Sequence, residues 1–218
     1  MNVVKVGIIG IGNMGSAHLR MITGGNIPDM TVTAVCDINP ERLKAAKAEY
    51  PDIAAFGDYT DLLKNSDTNA VIIAVPHPLH AKIAIEAFEY GKHVLVEKPI
   101  DITVSAAEKL CAAARKSGKV FASMFNQRTN GLFREARRIV NSGELGELKR
   151  SVWIITNWYR TQSYYDSGSW RATWRGEGGG VLLNQAPHNL DIWQWICGKP
   201  SAVTAFCNVG KFHNIEVE

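Results

Sequence analysis

The chain has 218 residues and a formal net charge of +3, with 46% of the residues hydrophobic and 21% charged. This composition predicts a soluble globular protein with one core or two small ones, and it excludes a disordered or fibrous chain. No stretch approaches the roughly 20 apolar residues of a membrane span, and the first residues lack a signal-peptide pattern, so we expect a cytoplasmic protein without a membrane partner.

Short β-branched segments alternate with longer amphipathic ones up to residue 125, which is the pattern of a parallel sheet covered by helices on both faces. Asn39 and Pro40 supply an N-cap and a first-turn proline, and Gly91 and Gly118 stand where helices end. Strands are predicted over 3–9, 31–37, 70–75, 93–98 and 120–125. The first half of the chain is therefore predicted to be an α/β Rossmann domain.

After Phe125 the pattern changes, and this change predicts a second domain. Helices are expected over 131–141 and 187–197, a turn over 143–146, and strands over 149–156 and near 201–208. We place the boundary near residue 127, which gives a dinucleotide-binding domain over 1–127 and a partial substrate and oligomerisation domain over 128–218.

A glycine-rich motif, G-x-G-x-x-G, follows the first predicted strand and opens a helix. It consists of Gly10, Gly12 and Gly15, with Asn13 and Met14 between the last two glycines. In a Rossmann domain these glycines permit a tight turn, close approach to a pyrophosphate and close packing of helix on strand. The helix N-terminus then offers amides to the phosphate charge.

Asp37 ends the second predicted strand, where an acidic side chain accepts hydrogen bonds from the adenine ribose. A carboxylate there repels a 2'-phosphate, so NAD is favoured over NADP, although Arg42 nearby leaves NADP open. The alternative is a turn aspartate before Asn39 and Pro40.

The remaining polar residues indicate neither a metal nor a nucleic acid. The four cysteines are far apart and form no C-x-x-C pair, so we expect free thiols and no metal site. A basic cluster lacks interleaved aromatics and predicts a solvated face; its members are Arg134, Arg137, Arg138, Lys149 and Arg150.

Four segments together resemble the glucose-fructose oxidoreductase and inositol dehydrogenase (Gfo/Idh/MocA) family. They are GIGNMG, AVPHPLHAKIAIEAFEYGK, GKHVLVEKPI and GGGVLLNQAPHNLD, so the similarity covers nearly the whole chain. The resemblance implies a Rossmann domain followed by an α+β open-faced sheet domain, with the nicotinamide between them. Because family members are longer, we expect this second sheet to be truncated, with an open edge that favours oligomer formation.

The resemblance also implies site residues. Lys98, in the tripeptide Glu97-Lys98-Pro99, would hold the substrate oxygen, and His188 would be the general base that takes the hydroxyl proton. Glu97, Lys98, Pro76, His80 and Arg128 would lie near the cofactor. The alternatives are an exposed ion pair of Lys98 with Glu97, a packing role for His188 and a junction salt bridge for Arg128.

The chain departs from the family pattern at Asn184, where the family has an aspartate. An amide can orient substrate or His188, but it cannot raise imidazole basicity as a carboxylate would. Asp191 is one candidate for part of the missing charge, and a structural acid is the other reading.

An aromatic loop over 157–180 contains Trp158, Tyr159, Tyr164, Tyr165, Trp170 and Trp174 among arginines. Aromatic planes suit the apolar faces of sugars and equally suit a subunit interface. We assign Trp158, with Lys98, Asn184 and His188, to substrate binding.

The sequence thus predicts an NAD-dependent oxidoreductase acting on a secondary hydroxyl of a sugar, polyol or related cyclic substrate, and we expect a homo-oligomer through the second domain. Two alternatives stay open. One is an NAD-using glycosidase, which releases product without net NADH; the other is a catalytically silent dinucleotide-binding regulator.

Overall fold

Six parallel strands form the sheet of the N-terminal half in the computed structural model, which describes residues 3–156, 159–206 and 212–217. The chain divides into two units, Met1–Met124 and Phe125–Glu218. The predicted Rossmann fold of the first half is confirmed, and each unit is described separately below.

The strand order in the first unit is β3-β2-β1-β4-β5-β6, with the reversal between β1 and β4 that characterises dinucleotide-binding sheets. The strands are β1 (Val4–Ile9), β2 (Met30–Cys36), β3 (Ala54–Phe56), β4 (Ala70–Ile73), β5 (His93–Val96) and β6 (Phe121–Ser123). The sequence predicted all of these except β3, whose three residues carry no periodic pattern.

Five helices connect these strands, namely α1 (Asn13–Thr23), α2 (Pro40–Glu49), α3 (Tyr59–Asn65), α4 (His80–Glu89) and α5 (Val104–Ser117). The predicted start of α2 is confirmed, because the Asn39 side chain accepts hydrogen bonds from the amides of Glu41 and Arg42. Gly118 ends α5 in the left-handed conformation, with a φ of 66°, as its position predicted. A short 3₁₀ helix, His77–Leu79, precedes α4.

Residues of the central strands alternate between two hydrophobic clusters, one on each face of the sheet. Ile8 and Ile72 belong to one cluster, whereas Ile9 and Ile73 belong to the other. Both faces are therefore buried, as expected for an all-parallel sheet, and each fully buried isoleucine contributes about 2–3 kcal/mol. This packing holds the sheet rigid, and the loops of the site project from the edge formed by the carboxyl ends of its strands.

The second unit consists of helices and connecting segments in its described residues. A 3₁₀ helix, Asn126–Thr129, precedes α6 (Gly131–Ser142), α7 (Gln162–Asp166), α8 (Val181–Asn184) and α9 (Pro187–Cys197). The helices predicted over 131–141 and 187–197 are confirmed. α6 packs on α9, where Arg137 donates to the carbonyl of Trp195 at 3.0 Å and its guanidinium lies 4.4 Å from the indole centroid.

The strands predicted in the second unit are not found. Residues 149–156 and 201–206 form no strand, and 207 and 208 lie outside the described residues. Val152 and Ile154 have the β-branched side chains that favour strands, but they are 62% and 77% exposed. A strand also needs a neighbour to complete its hydrogen bonds, and the described parts of this unit supply none. Among all the described residues, in both units, no helix is long and apolar enough to span a membrane.

Candidate functional site

The glycine-rich loop joins β1 to α1, and two of its glycines are required by close packing. Gly10 has a φ of 87°, and a Cβ there would lie 2.6 Å from the carbonyl oxygen of Ala74. A Cβ on Gly15 would lie 1.8 Å from the carbonyl oxygen of Gly10. A residue with a Cβ would clash at either position, so these two glycines are what allows α1 to pack closely on the end of β1.

Gly12 differs from its neighbours because a Cβ there meets only the tip of Arg42, at 3.8 Å. It is the N-cap of α1 and brings no side chain to satisfy the first helix amides, which belong to Asn13 and Met14. A helix N-terminus whose N-cap residue has no side chain leaves its first amides available to the pyrophosphate of a dinucleotide.

Asp37 follows β2 beside this loop, and the residue is 6% exposed. It accepts hydrogen bonds from the amides of Ile11 and Asn39, each at 2.9 Å, and lies 3.3 Å from the Arg42 guanidinium. Asp37 is therefore both a turn aspartate and a part of the glycine-rich loop. The turn reading of the sequence agrees with the Asn39 contact, and the ribose-binding reading stays a prediction.

The turn after β4 contains Pro76 and leads into α4, where His80 is fully buried. Its ring nitrogens lie 2.7 Å from the carbonyl oxygen of Pro99 and 2.8 Å from that of Val75. Burial lowers the pKa of His80 despite the two carbonyls, which favour the charged ring. In this arrangement the imidazole holds backbone segments together and does not face solvent.

The tripeptide Glu97-Lys98-Pro99 follows β5, and its first and last residues bond to His18 and His80 respectively. The Lys98-Pro99 peptide bond is cis. Glu97 is buried, and its carboxylate lies 2.8 Å from Nε2 of His18 and accepts a hydrogen bond from the Lys98 amide at 3.3 Å. His18 was not among the predicted site residues. Its spacing of three residues from Gly15, which places both on one face of α1, was the available signal.

In the second unit, His188 lies in the first turn of α9 after Pro187, and its ring meets that of Phe125 edge to face at 6.0 Å between centroids. Nearby in the sequence, Asp191 accepts two hydrogen bonds from Arg128, at 2.8 and 2.5 Å. That contact raises the pKa of Arg128. The Asp191 carboxylate thus serves an ion pair, which favours the structural reading of both residues.

Asn184 is buried at the end of α8, and its amide nitrogen donates to the carboxylate of Glu177. Glu177 is 2% exposed and accepts a further hydrogen bond from the Ala172 amide at 3.0 Å. Glu177, which stands just before the triple glycine, was not among the predicted site residues. A buried carboxylate is therefore present next to the amide at position 184, supplied by a residue other than Asp191.

Tyr164 of the aromatic loop is surrounded by cations. The guanidinium groups of Arg160 and Arg171 lie 4.7 and 4.3 Å from its ring centroid, and Arg171 donates to its hydroxyl at 2.8 Å. Trp158 lies outside the described residues, and Tyr159 and Trp174 are 75% and 58% exposed. No group of His, Cys, Asp and Glu suited to a metal occurs in the described ranges.

The strand order, the glycine-rich loop and the acid after β2 together define a dinucleotide-binding domain of the Rossmann class. The comparisons with known proteins then give the family. Residues 4–125 match the Gfo/Idh/MocA model described as an oxidoreductase family with an NAD-binding Rossmann fold, and residues 133–218 match the family's C-terminal domain. The chain belongs to the Gfo/Idh/MocA family, as the sequence motifs predicted, and NAD is the cofactor of that family's fold.

Among its relatives is the inositol 2-dehydrogenase of Salmonella typhimurium, which is 34% identical over 146 residues, or 66% of this chain and 43% of that protein. The structure of the WlbA dehydrogenase from Bordetella pertussis in complex with NADH and UDP-GlcNAcA is similar with a TM-score of 0.89 and 28% identity, over 100% of this chain and 65% of that one.

The scyllo-inositol dehydrogenase of Lactobacillus casei, solved with NAD(H) and scyllo-inositol, gives a TM-score of 0.75 and 27% identity over 90% of this chain and 57% of that one. The chain spans about half the length of the curated relatives that it matches.

Proposed function

We propose that this chain carries the cofactor domain of an NAD-dependent oxidoreductase, which transfers hydride between nicotinamide and a secondary hydroxyl of a sugar, polyol or related cyclic compound. The observation that carries the proposal lies in the first unit. A glycine-rich loop braced by Asp37 and an anchored Glu97-Lys98-Pro99 turn both follow strands of one parallel sheet, on the edge where such sheets bind ligands.

We assign the pyrophosphate to the backbone of the glycine-rich loop and the start of α1, which comprise Gly10, Gly12, Asn13, Met14 and Gly15. The Asp37 carboxylate accepts from the ribose hydroxyls and disfavours a 2'-phosphate, which makes NAD the preferred dinucleotide. Pro76, Glu97 and Lys98 line or support the nicotinamide end, and His80 does so indirectly, through the backbone carbonyls that it holds. Arg128 was also predicted to lie near the cofactor, but its ion pair with Asp191 favours a structural role. When bound, NAD supplies the hydride acceptor.

Lys98 and His188 handle the proton and the charge on the substrate oxygen. An ammonium about 4 Å from a developing alkoxide, at an effective dielectric of about 20, is worth about 4 kcal/mol, so Lys98 can stabilise the anion. His188 serves as the general base, since an ordinary imidazole accepts a proton near neutral pH. Asn184 and Trp158 orient the substrate, with Asn184 itself held by Glu177.

The silent regulator is the second candidate, and Asn184 favours it, because an amide at this position cannot ionise. The two candidates share the cofactor domain and differ only in turnover. A homo-oligomer formed through the second unit and a cytoplasmic location remain predictions of the sequence.

Calorimetric titration of the chain with NAD and with NADP tests the cofactor proposal. We expect saturable binding of NAD, weaker binding of NADP, and a loss of about tenfold or more in NAD affinity in Asp37→Asn, because the amide keeps one acceptor oxygen but loses the charge. A screen of inositols, hexoses and uronic acids for NADH formation then tests turnover, with Lys98→Met and His188→Gln as inactive variants.

The outcomes separate the candidates. NADH formation that both variants abolish supports the dehydrogenase, whereas NAD binding without turnover on any polyol supports the regulator. Release of aglycone from a glycoside without net NADH supports the glycosidase. If the folded chain binds neither NAD nor NADP, that result contradicts the cofactor proposal itself.

A further inference from the structure

His18 contacts the turn that carries Lys98, although 79 residues separate it from Glu97 in the sequence. Its Nε2 lies 2.8 Å from Oε1 of Glu97, and the two side chains are 12% and 9% exposed. A polar pair so far out of water is a strong constraint, because either partner without the other would leave a buried polar group unsatisfied.

The Glu97 carboxylate uses both of its oxygens. Oε1 meets His18, and Oε2 accepts the hydrogen bond from the backbone amide of Lys98. One carboxylate therefore ties a side chain of α1 to the main chain of the residue proposed to hold the substrate oxygen. Removing His18 would leave Glu97 to reorient, and the Lys98 amide would lose a defined acceptor.

α1 is also the helix whose first turn is proposed to bind the pyrophosphate. His18 lies one turn after Gly15 on the same helix. At Gly15 the helix packs so closely on the end of β1 that a Cβ there would lie 1.8 Å from the carbonyl oxygen of Gly10. Packing this tight leaves α1 little freedom to shift. The position of His18, and with it that of Glu97, is thus fixed by the same glycine packing that shapes the loop.

We infer that His18 is a positioning residue, which sets the placement of Lys98 through Glu97 and couples it to the dinucleotide-binding helix. The inference rests on the proposed function, since it concerns the same site. His18 touches neither the dinucleotide nor the substrate in this scheme, and it acts only by holding the Glu97-Lys98-Pro99 turn in register with the glycine-rich loop.

The test uses the whole chain with its lysines dimethylated with ¹³C, so that the Lys98 methyl resonance, identified by its absence in Lys98→Arg, reports where the amine lies. His18→Leu removes the ring nitrogen that meets Glu97, and His18→Gln restores an amide donor. His93→Leu is the matched control, because the His93 ring also takes part in a hydrogen bond, which Nδ1 accepts from the Val120 amide at 2.9 Å, at the opposite end of β5.

In His18→Leu we expect the Lys98 resonance to move in the chain without NAD, and the NAD affinity measured by calorimetry to fall about tenfold, the size of one charge-assisted hydrogen bond. His18→Gln should recover most of both effects, and His93→Leu should leave both near wild type. If His18→Leu does not fold by circular dichroism, Glu97→Gln replaces it, with the same expected changes.

An unmoved Lys98 resonance overturns the inference, even if the affinity falls, because the contact would then only stabilise α1. Equal effects in His93→Leu also overturn it, since they would reflect general loosening of the unit. Failure of the wild-type chain to bind NAD would overturn the proposed function, whereas the Lys98 resonance, read without NAD, separately tests whether His18 positions this residue.

Discussion

The two units differ in what holds their candidate site residues in place. In the first unit, Asp37, His80 and Glu97 bond to backbone groups at the ends of strands, and both hydrophobic clusters lie beneath them. In the second unit, Asn184 and Asp191 bond chiefly to other side chains, Glu177 and Arg128. Its buried hydrophobic residues among those described are Ala172, Ala186 and Ile192.

The site residues of the first unit are therefore held by backbone groups above a packed core, whereas those of the second unit are held mainly by pairs of polar side chains. All six tryptophans, Trp153, Trp158, Trp170, Trp174, Trp193 and Trp195, belong to the second unit. Tryptophan fluorescence therefore reports unfolding of the second unit alone, and far-ultraviolet circular dichroism reports both. The comparison can thus be tested one unit at a time.

The largest effect is expected for Gly15→Ala, because its Cβ would lie 1.8 Å from the backbone oxygen of Gly10. We expect a loss of about 3 kcal/mol or more in the free energy of unfolding of the first unit, measured by urea titration with circular dichroism. Gly12→Ala is the matched control: it should cost about 1 kcal/mol or less and still weaken NAD binding. A stable Gly15→Ala chain would contradict the packing described for the loop.

Next in size is the contrast between Ile8→Ala and Ile192→Ala, which truncate isoleucines that are 0% and 1% exposed. We expect losses of about 3 kcal/mol for Ile8 and about 2 kcal/mol for Ile192, because the sparser second unit can collapse around the cavity. Urea titration followed by circular dichroism and by tryptophan fluorescence gives the two values. Equal losses would mean that the second unit has a core as well packed as the first.

A smaller effect is expected at two matched helix caps. Asn39 caps α2 in the first unit, and Asn130 caps α6 in the second, where its side chain accepts from the Leu132 amide at 2.9 Å. Because capping is local, Asn39→Ala and Asn130→Ala should each cost about 1 kcal/mol. Only Asn130→Ala should move the tryptophan transition. A shift of that transition in Asn39→Ala would show that the units unfold together.

The smallest effect is a pH dependence that belongs to the first unit. Burial lowers the pKa of His80 from its ordinary value of 6.5, so the unfolded chain takes up this proton before the folded one. Stability from His80 is present above about pH 6.5 and is lost as the pH falls through and below that value. His80→Gln should flatten the stability of the first unit against pH in this range. An unchanged slope would exclude His80 as its source.

Most of the first unit could be predicted because its signals are local. The β-branched segments, the cap at Asn39 and the glycines each act over a few neighbouring residues, and together they give five of the six strands. β3 was missed because Ala54–Phe56 is too short to show a period. Asp37 was placed correctly at the end of its strand, but its bond to the Ile11 amide depends on how strand and loop meet.

The rest of the candidate site could not be predicted because it depends on contacts between distant residues. Nothing in the sequence pairs His18 with Glu97, or Arg128 with Asp191. Segment 149–156 has strong strand propensity, yet a strand exists only where another strand completes its ladder, and propensity does not supply the partner. Glu177 had a local signal, an acid before three glycines, but its burial against Asn184 became visible only in the structure.

The bond between the Ile11 amide and Asp37 has a consequence for redesign of the cofactor preference. An engineer who replaces Asp37 to admit a 2'-phosphate also takes away the acceptor that fixes the glycine-rich loop. A successful exchange would therefore be a paired one, with a neutral acceptor such as asparagine left at position 37 and the positive charge supplied from Arg42 or position 38. In this chain, a substitution at position 37 changes both the preference for the dinucleotide and the conformation of the glycine-rich loop.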